Sequence, residues 1–480
     1  MFKDENLKQA VYAALRKSQQ EYVRVDELAD IIHLSVRSRE IHDLSGLQHC
    51  VNLEFLDLAY NQIEHIDALA PLTKLRKLNL SHNALFSIQP IRKHEALSEL
   101  DISYNEVFPV NLKYLSDLDN LVTLNIDRTN VSQIDKLSKL EKLKVLHAGI
   151  RSDHFDLRVF EDLRNLEELY VSKVWLYNIE PLKKLTNLKI LDISSNLIGD
   201  LRILSTFFNL EVLDVSNNLY LHDLSSLKNL HKLKKLNIGY CPITSIAALQ
   251  DLHNLEDLRT NYCKIKDFSV LCDKIQLKKL DLGSNPIQDT TFLENLYALT
   301  YLKLDHTQLY DIQFIKHNER LQECNLCYNM IKDLTPLVNC KQLVVLDMGN
   351  NEIQDISSLA NLKTLECLIM EYNKIQDIEA VRELSELGIL DLYNNIVGDV
   401  SALASLQNLT RLRLDHNAIS DITPLAALKN LVSLTLKANY IIDLAPILEM
   451  SKLFELRLDD NPIADIEVLE KMKYYDRFSY

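Results

Sequence analysis

The chain has little glycine. Eight glycines among 480 residues leave scant material for flexible linkers, and no low-complexity stretch separates one part from another. One elongated domain is expected. Basic residues are outnumbered, 53 Lys and Arg against 68 Asp and Glu, for a formal charge of −15. Nucleic acid needs Lys and Arg to neutralise its phosphates, so it is excluded as a partner, and the charge favours a basic one. No apolar run approaches the length of a membrane span, and the opening MFKDENLKQA lacks the apolar core of a secretory signal. A cytoplasmic location is expected. Cysteine sets at metal-ligand spacing are missing. Cys324 and Cys327 form a C-x-x-C, but within a strand their thiols face opposite sides of the sheet, which argues against redox chemistry. There is no G-x-x-x-x-G-K-S/T, no H-E-x-x-H and no localised Ser/His/Asp grouping, and the fourteen histidines are scattered. The chain is read as not an enzyme, with no catalytic residue, no cofactor and no metal.

What is present is a repeat. LDLAYNQIEHI, LDISSNLIGDL, LDMGNNEIQDI, LRLDHNAISDI and LRLDDNPIADI are one pattern, L-x-L-x-x-N-x-I-x-D-I, returning about every 22 residues and followed by x-x-L-x-x-L. A period of this length and spacing signifies a leucine-rich-repeat solenoid. The class is α/β repeat: a curved arc of about 20 coils, with a parallel sheet on the concave face and short 3-10 or turn segments on the convex face. Each L-x-L is a short strand whose leucines turn inward, because strand side chains alternate. Nineteen intervals at about 4.8 Å make a strip of roughly 90 Å, long enough to hold a folded partner.

The asparagine column runs through Asn61, Asn83, Asn105, Asn196, Asn218, Asn285, Asn329, Asn351, Asn373, Asn395, Asn417, Asn439 and Asn461, with Arg39, Thr129, Arg151, Val174, Cys241, Cys263 and Thr307 at the remaining positions. A primary amide both donates and accepts, so the role expected is structural: it satisfies backbone groups that a buried bend leaves unpaired. Asp267, Asp289, Asp311, Asp333, Asp355, Asp377, Asp399, Asp421, Asp443 and Asp465 form a second column four residues later. These are read as caps that accept from the free amides of the following turn rather than as calcium ligands.

Residues 1–33 differ from the repeats. Asp4 as cap and apolar Leu7, Val11, Ala14 and Leu15 at helical spacing predict a helix, and VDELADI a second short one. The domain plan is a helical N-terminal cap over 1–33, the solenoid over 34–466 and a short, helix-like capping tail over 467–480. The sequence F-x-D-x-N-L-x-x-A-V-x-x-A-L from Phe2 to Leu15, running through VDELADIIHLSV into EIHDLSGLQ, resembles the bacterial internalin-like leucine-rich-repeat proteins, related in turn to phosphatase-regulating repeat proteins. The resemblance implies a noncatalytic chain that binds a protein partner on its concave face. It leaves two alternatives: an exported internalin-like surface or virulence adhesin, and a regulatory subunit of an enzyme such as a phosphatase.

The expected partner is a protein of basic character, bound by a monomer. On the concave face the residue between the strand leucines is often acidic, as at Asp57, Asp101, Asp192, Asp214, Asp281, Asp347 and Asp391. Just before the asparagine column stands a row of rings, Tyr60, His82, Tyr104, Tyr240, Tyr262, His306, Tyr328, Tyr372 and His416, with Tyr393 one position earlier in its coil. Aromatic enrichment along one lip marks an interface, because rings bury much area at small entropic cost; rings that merely stack on one another are the alternative. Arg413 lies in a mixed-charge patch with Arg411, Asp415 and Arg457. A further candidate is Trp175, the one tryptophan, in an irregular stretch where spacings lengthen to 24 and 23 residues; here it either meets the partner or fills the gap left by Val174.

Overall fold

The computed structural model describes residues 1–18, 21–150, 156–448, 450–463 and 477–479. They fall into two compact units, Met1–Pro242 and Ile243–Tyr480.

In the first unit each L-x-L is a three-residue strand, from His33–Ser35 to Lys235–Asn237, all parallel. Leu34, Leu56, Leu78, Leu100, Leu124, Leu146, Leu169, Leu191, Leu213 and Leu236 oppose one another in that order. The longer intervals do not shift this register, so the extra residues are accommodated outside the strands. Part of the surplus makes a separate parallel pair, Val110–Asn111 with Val131–Ser132. A one-residue slip in a strand would turn every leucine outward, which is why the surplus stays in the loops.

The second unit repeats the plan from Asp257–Arg259 onward, with Leu258, Leu280, Leu302, Cys324, Leu346, Leu368, Leu390, Leu412, Leu434 and Leu456 in register. One further strand, Arg477–Ser479, pairs with Glu455–Arg457 and places Phe478 opposite Leu456. The period thus runs one strand beyond the asparagine column, within the segment expected to be helix-like. Residues 464–476 of that tail, with Asp465, lie outside the described residues, as does Arg151.

On the far side of each coil the returning leucines sit on short 3-10 turns such as Asp67–Leu69 and Ser357–Asn361. A 3-10 turn has three residues per turn, so L-x-x-L-x-x-L puts Leu69, Leu72 and Leu75 on one side, and all three are fully buried. The aspartate column starts these turns. Asp267, Asp289, Asp311 and Asp355 accept from the amides of Ser269, Thr291, Gln313 and Ser357 at 2.8–2.9 Å. The bond spans two residues, so the aspartate stands one position outside the N-cap.

The N-terminal helix is Glu5–Ala14, with Asp4 accepting from the amide of Leu7 at 3.0 Å. Leu7 and Val11 are buried; Ala14, expected on the same face, is exposed. The other Asp4 oxygen accepts from the amide of His42 at 2.9 Å, and the Asn6 amide donates to the Arg39 carbonyl at 2.8 Å, which ties the helix to the first coil. The Phe2 ring lies against Gly46, where φ is +108° and a Cβ would come within 2.3 Å of the ring, so glycine is required.

Candidate binding face

The asparagine column is the internal frame of this face. Asn196 donates to the carbonyls of Val171, Ile193 and Ser194 at 2.9–3.1 Å and accepts from the amides of Val174 and Leu176 at 3.1 and 3.0 Å. Asn83 and Asn373 make the same bridge to the preceding coil. Thr129, Thr307 and Cys241 supply part of it, donating to the carbonyls of Ile102, Leu304 and Val215. Where the column residue is Arg39 or Val174, which cannot donate in this way, its own amide is accepted by the asparagine of the next coil, Asn61 or Asn196. The column therefore carries structure.

The acidic residues between the strand leucines have a structural task that sequence reasoning missed. Asp101, Asp192, Asp281, Asp347 and Asp391 accept from the amides of Ser103, Ser194, Gly283, Gly349 and Tyr393 at 2.9–3.1 Å. Asn79, Asn125, Asn237 and Asn325 accept in the same way. The signal was the free alternation of Asp with Asn, which suits an amide-accepting oxygen and not a charge. Burial pushes the carboxyls of Asp192, Asp281, Asp347 and Asp391 above the usual range, although these bonds oppose the shift.

The 3-10 aspartates behave in the opposite sense. Bonds from the residue two positions on hold Asp267, Asp289, Asp355, Asp399 and Asp421 below the ordinary 3.8. A carboxyl raised on folding disfavours the native state when ionised, so stability is gained as pH falls through the raised values. A lowered one stabilises above 3.8, and that contribution is lost as pH falls through the folded value. The urea midpoint is therefore expected to rise as pH falls from 7 through the raised carboxyls and to fall again once pH drops below the ordinary 3.8. A midpoint that only declines from pH 7 would refute the assignment.

The lip is built on an unusual backbone. Tyr60, His82, Tyr104, Tyr240, Tyr262, His306, Tyr328, Tyr372 and His416 all have φ between +52° and +59°, the left-handed region. Tyr rarely adopts it, whereas His and Asn do so more readily; Asn217, Asn350 and Asn394 occupy the same lip position in other coils. In the first unit Tyr60, His82 and Tyr104 stack face to face, with centroids 4.0 and 4.1 Å apart. Arg37 and Arg128 lie over the two ends, 5.5 and 5.6 Å from the rings of Tyr60 and Tyr104. In the second unit His306 stacks on Tyr328 at 4.1 Å, while Tyr372, Tyr393 and His416 meet edge to face. Stacking and exposure coexist: Tyr60, Tyr104, Tyr240, Tyr262, Tyr328 and Tyr372 keep 40–51% of their surface open.

Arg413 is held from three sides. It reaches Glu371 at 3.2 Å, Asp391 at 3.1 Å and Asp415 at 3.4 Å, and lies 4.1 Å from the centroid of Tyr393. The expected mixed-charge patch is thus an arginine neutralised within a cluster of carboxylates. Asp281 opposes Lys303 on the neighbouring strand, and Lys303 approaches Asp305 at 3.5 Å. Cys327 and Cys324 are held as thiols, burial raising Cys327 to about 12 and Cys324 well above its ordinary value.

Trp175 does not fill the gap left by Val174. Val174 is itself buried, and Trp175 is 71% exposed. Lys173 and Trp175 both have φ of +61°, and this double left-handed turn presents the amides of Val174 and Leu176 together to Asn196. Glu40 and Gln308 occupy the equivalent position in two other coils whose column residue is not Asn. The turn aims the Trp175 ring into solvent, beside a cavity of about 900 Å³ lined by Tyr104, Arg128, Lys173, Asn217 and Leu219.

Models of the leucine-rich repeat match residues 34–85, 184–201, 319–361 and 407–449. With the strand register and the asparagine bridges, that decides the fold. This is a leucine-rich-repeat solenoid. Similar solved structures include an internalin of Listeria monocytogenes, 24% identical over 97% of this chain and 96% of that one, with a TM-score of 0.35. A leucine-rich-repeat protein of Leptospira interrogans is 20% identical over 96% and 100%, with a TM-score of 0.51. The plant peptide hormone receptor RGFR1 in complex with RGF2 is 18% identical over 93% and 89%, with a TM-score of 0.59. No curated protein matches the sequence. The solenoid is a fold typical of protein-interaction domains, and among the described residues no helix is long and apolar enough to cross a membrane.

Proposed function

We propose that the solenoid is a noncatalytic scaffold that holds a protein partner on its strand face. The observation that carries this reading is the lip of half-exposed rings at left-handed positions, where the fold itself would be served as well by Asn. Rings already stacked or crossed with their neighbours lose little further freedom when a partner covers them, so the contact is pre-organised. The aspartates between the strand leucines belong to the chain's acidic excess, a formal charge of −15, which favours a partner that is basic over most of its contact. The plant receptor of the same fold, in complex with RGF2, supports reading the fold as a holder of partners. A cytoplasmic monomer fits the eight free cysteines, Cys272 among them exposed.

Tyr262→Asn with Tyr328→Asn is the appropriate test, since Asn adopts the left-handed backbone more readily than Ala and already stands at this position in Asn217, Asn350 and Asn394. Affinity capture from the native cell followed by mass spectrometry is expected to recover a partner with the parent chain and to lose it, by about tenfold or more, with the variant. Circular dichroism and the urea midpoint should stay unchanged. Equal recovery of every captured protein by both baits would refute the lip as the contact.

A further inference from the structure

We infer that the cleft beside Trp175 in the first unit takes an extended, acidic segment of the partner that carries an apolar side chain among its carboxylates. This rests on the protein-binding reading above and deepens it. Two cations face the cleft, Arg128 and Lys173, each on a left-handed lip residue with φ of 49° and 61°. Among the described residues neither has an ion pair, although Arg128 lies over the Tyr104 ring. Among the described residues the one carboxylate lining the cleft, Asp127, is already committed. It accepts from the amide of Gly149 at 2.6 Å and faces His147 at 3.8 Å. Among the described residues, two positive charges thus stand at one place without an ion pair.

The apolar half of the site is equally unspent. Trp175 and Leu219 are 71% and 62% exposed, and the fold gains nothing from a tryptophan there, since Glu40 and Gln308 serve the same turn elsewhere. An aromatic ring kept in a left-handed conformation and in water costs stability twice, a cost that burial against a partner offsets. From Tyr104 to Asn217 the cleft crosses five strand intervals, roughly 24 Å, which matches about seven residues of extended chain. A single-stranded nucleic acid also offers negative charge and stacking surfaces. Asp101, Asp192 and Asp214 on the adjoining strand face would meet its continuous phosphates, whereas a peptide places its carboxylates only where the cations are.

Selection from a displayed library of random seven-residue peptides tests the inference, with the parent chain and Arg128→Glu/Lys173→Glu as baits. The parent is expected to enrich sequences that combine Asp or Glu with Phe, Leu or Ile. Those peptides should bind the charge-reversed variant about tenfold or more weakly and shift the emission of Trp175, the chain's only tryptophan, to shorter wavelength. If the reversal perturbs circular dichroism, Arg128→Gln/Lys173→Gln replaces it. Enrichment of nothing, of basic sequences, or of peptides indifferent to the variants overturns the inference. So does an oligothymidylate that quenches Trp175 more tightly than the best peptide. The two readings fail separately: a partner lost on Tyr262→Asn/Tyr328→Asn while no acidic peptide is selected sinks only the cleft, and selected peptides without any captured partner sink only the lip.

Discussion

Asn196→Ala is expected to destabilise the chain by about 3–5 kcal/mol, the largest loss from any single exchange considered. The side chain makes three donor and two acceptor bonds, all to backbone, and Asn196 is buried. Each bond contributes about 1 kcal/mol net, and the amides of Val174 and Leu176 would be left without partners away from water, which adds to the cost. Asn196→Thr should lose roughly half as much, since Thr129 shows that a hydroxyl in this column still reaches the carbonyl of the preceding coil, 2.7 Å away at Ile102. The two amides it releases flank Trp175, so tryptophan emission reports the local event while circular dichroism reports the global one. A urea midpoint within error of the parent for Asn196→Ala would show that water or a shifted backbone replaces the bridge.

Lys274→Leu should move stability the other way, by about 1–3 kcal/mol. Lys274 occupies the place of the middle returning leucine, between Leu271 and Leu277, and its side chain is fully buried. Its ammonium donates to the Gln250 carbonyl at 2.6 Å and to Asp273 at 2.5 Å, and Asp273 is itself 41% exposed. Removing the lysine therefore strands no buried carboxylate, and a leucine restores the packing seen at Leu72 and Leu252 in their coils. His94 and Asn318 stand at the same place in their coils, each with one side-chain atom lacking a hydrogen-bond partner. His94→Leu and Asn318→Leu should raise stability in the same direction, and the three gains should add, because the sites share no contacts. Thermal denaturation of the single and triple variants measures this; a fall in midpoint for Lys274→Leu would mean that the buried ion is required by a strain at that coil.

The architecture was legible because it is written twenty times over. An L-x-L that recurs in register has one way to bury its leucines, and the aspartate before each returning turn has one set of amides in reach. What a repeat consensus hides is the reason for each column. Asp and Asn alternate freely between the strand leucines, which is the mark of an oxygen that accepts from the amide two residues on, and the acidic trough read from Asp281 and its neighbours is to that extent a backbone device. The left-handed lip was not legible, since nothing in Tyr262 or His306 announces a positive φ; only Asn217, Asn350 and Asn394 at the same place hinted at it. Trp175 was noticed as an irregularity with its direction left open, because that direction is set by the bond pattern of Asn196 in the next coil. Arg128 and Lys173 were passed over for a simpler reason: their lack of ion pairs among the described residues is a property of space, not of spacing.

Hydrogen exchange on the captured partner complex is the most direct test of the scaffold reading, since it surveys both faces of every coil at once. Protection on binding is expected in the lip segments around Tyr60, Tyr104, Trp175, Tyr262 and Tyr328, with the 3-10 segments such as Asp67–Leu69 and Ser357–Asn361 exchanging as in the free chain. Protection confined to the 3-10 side, with the lip unchanged, would contradict it.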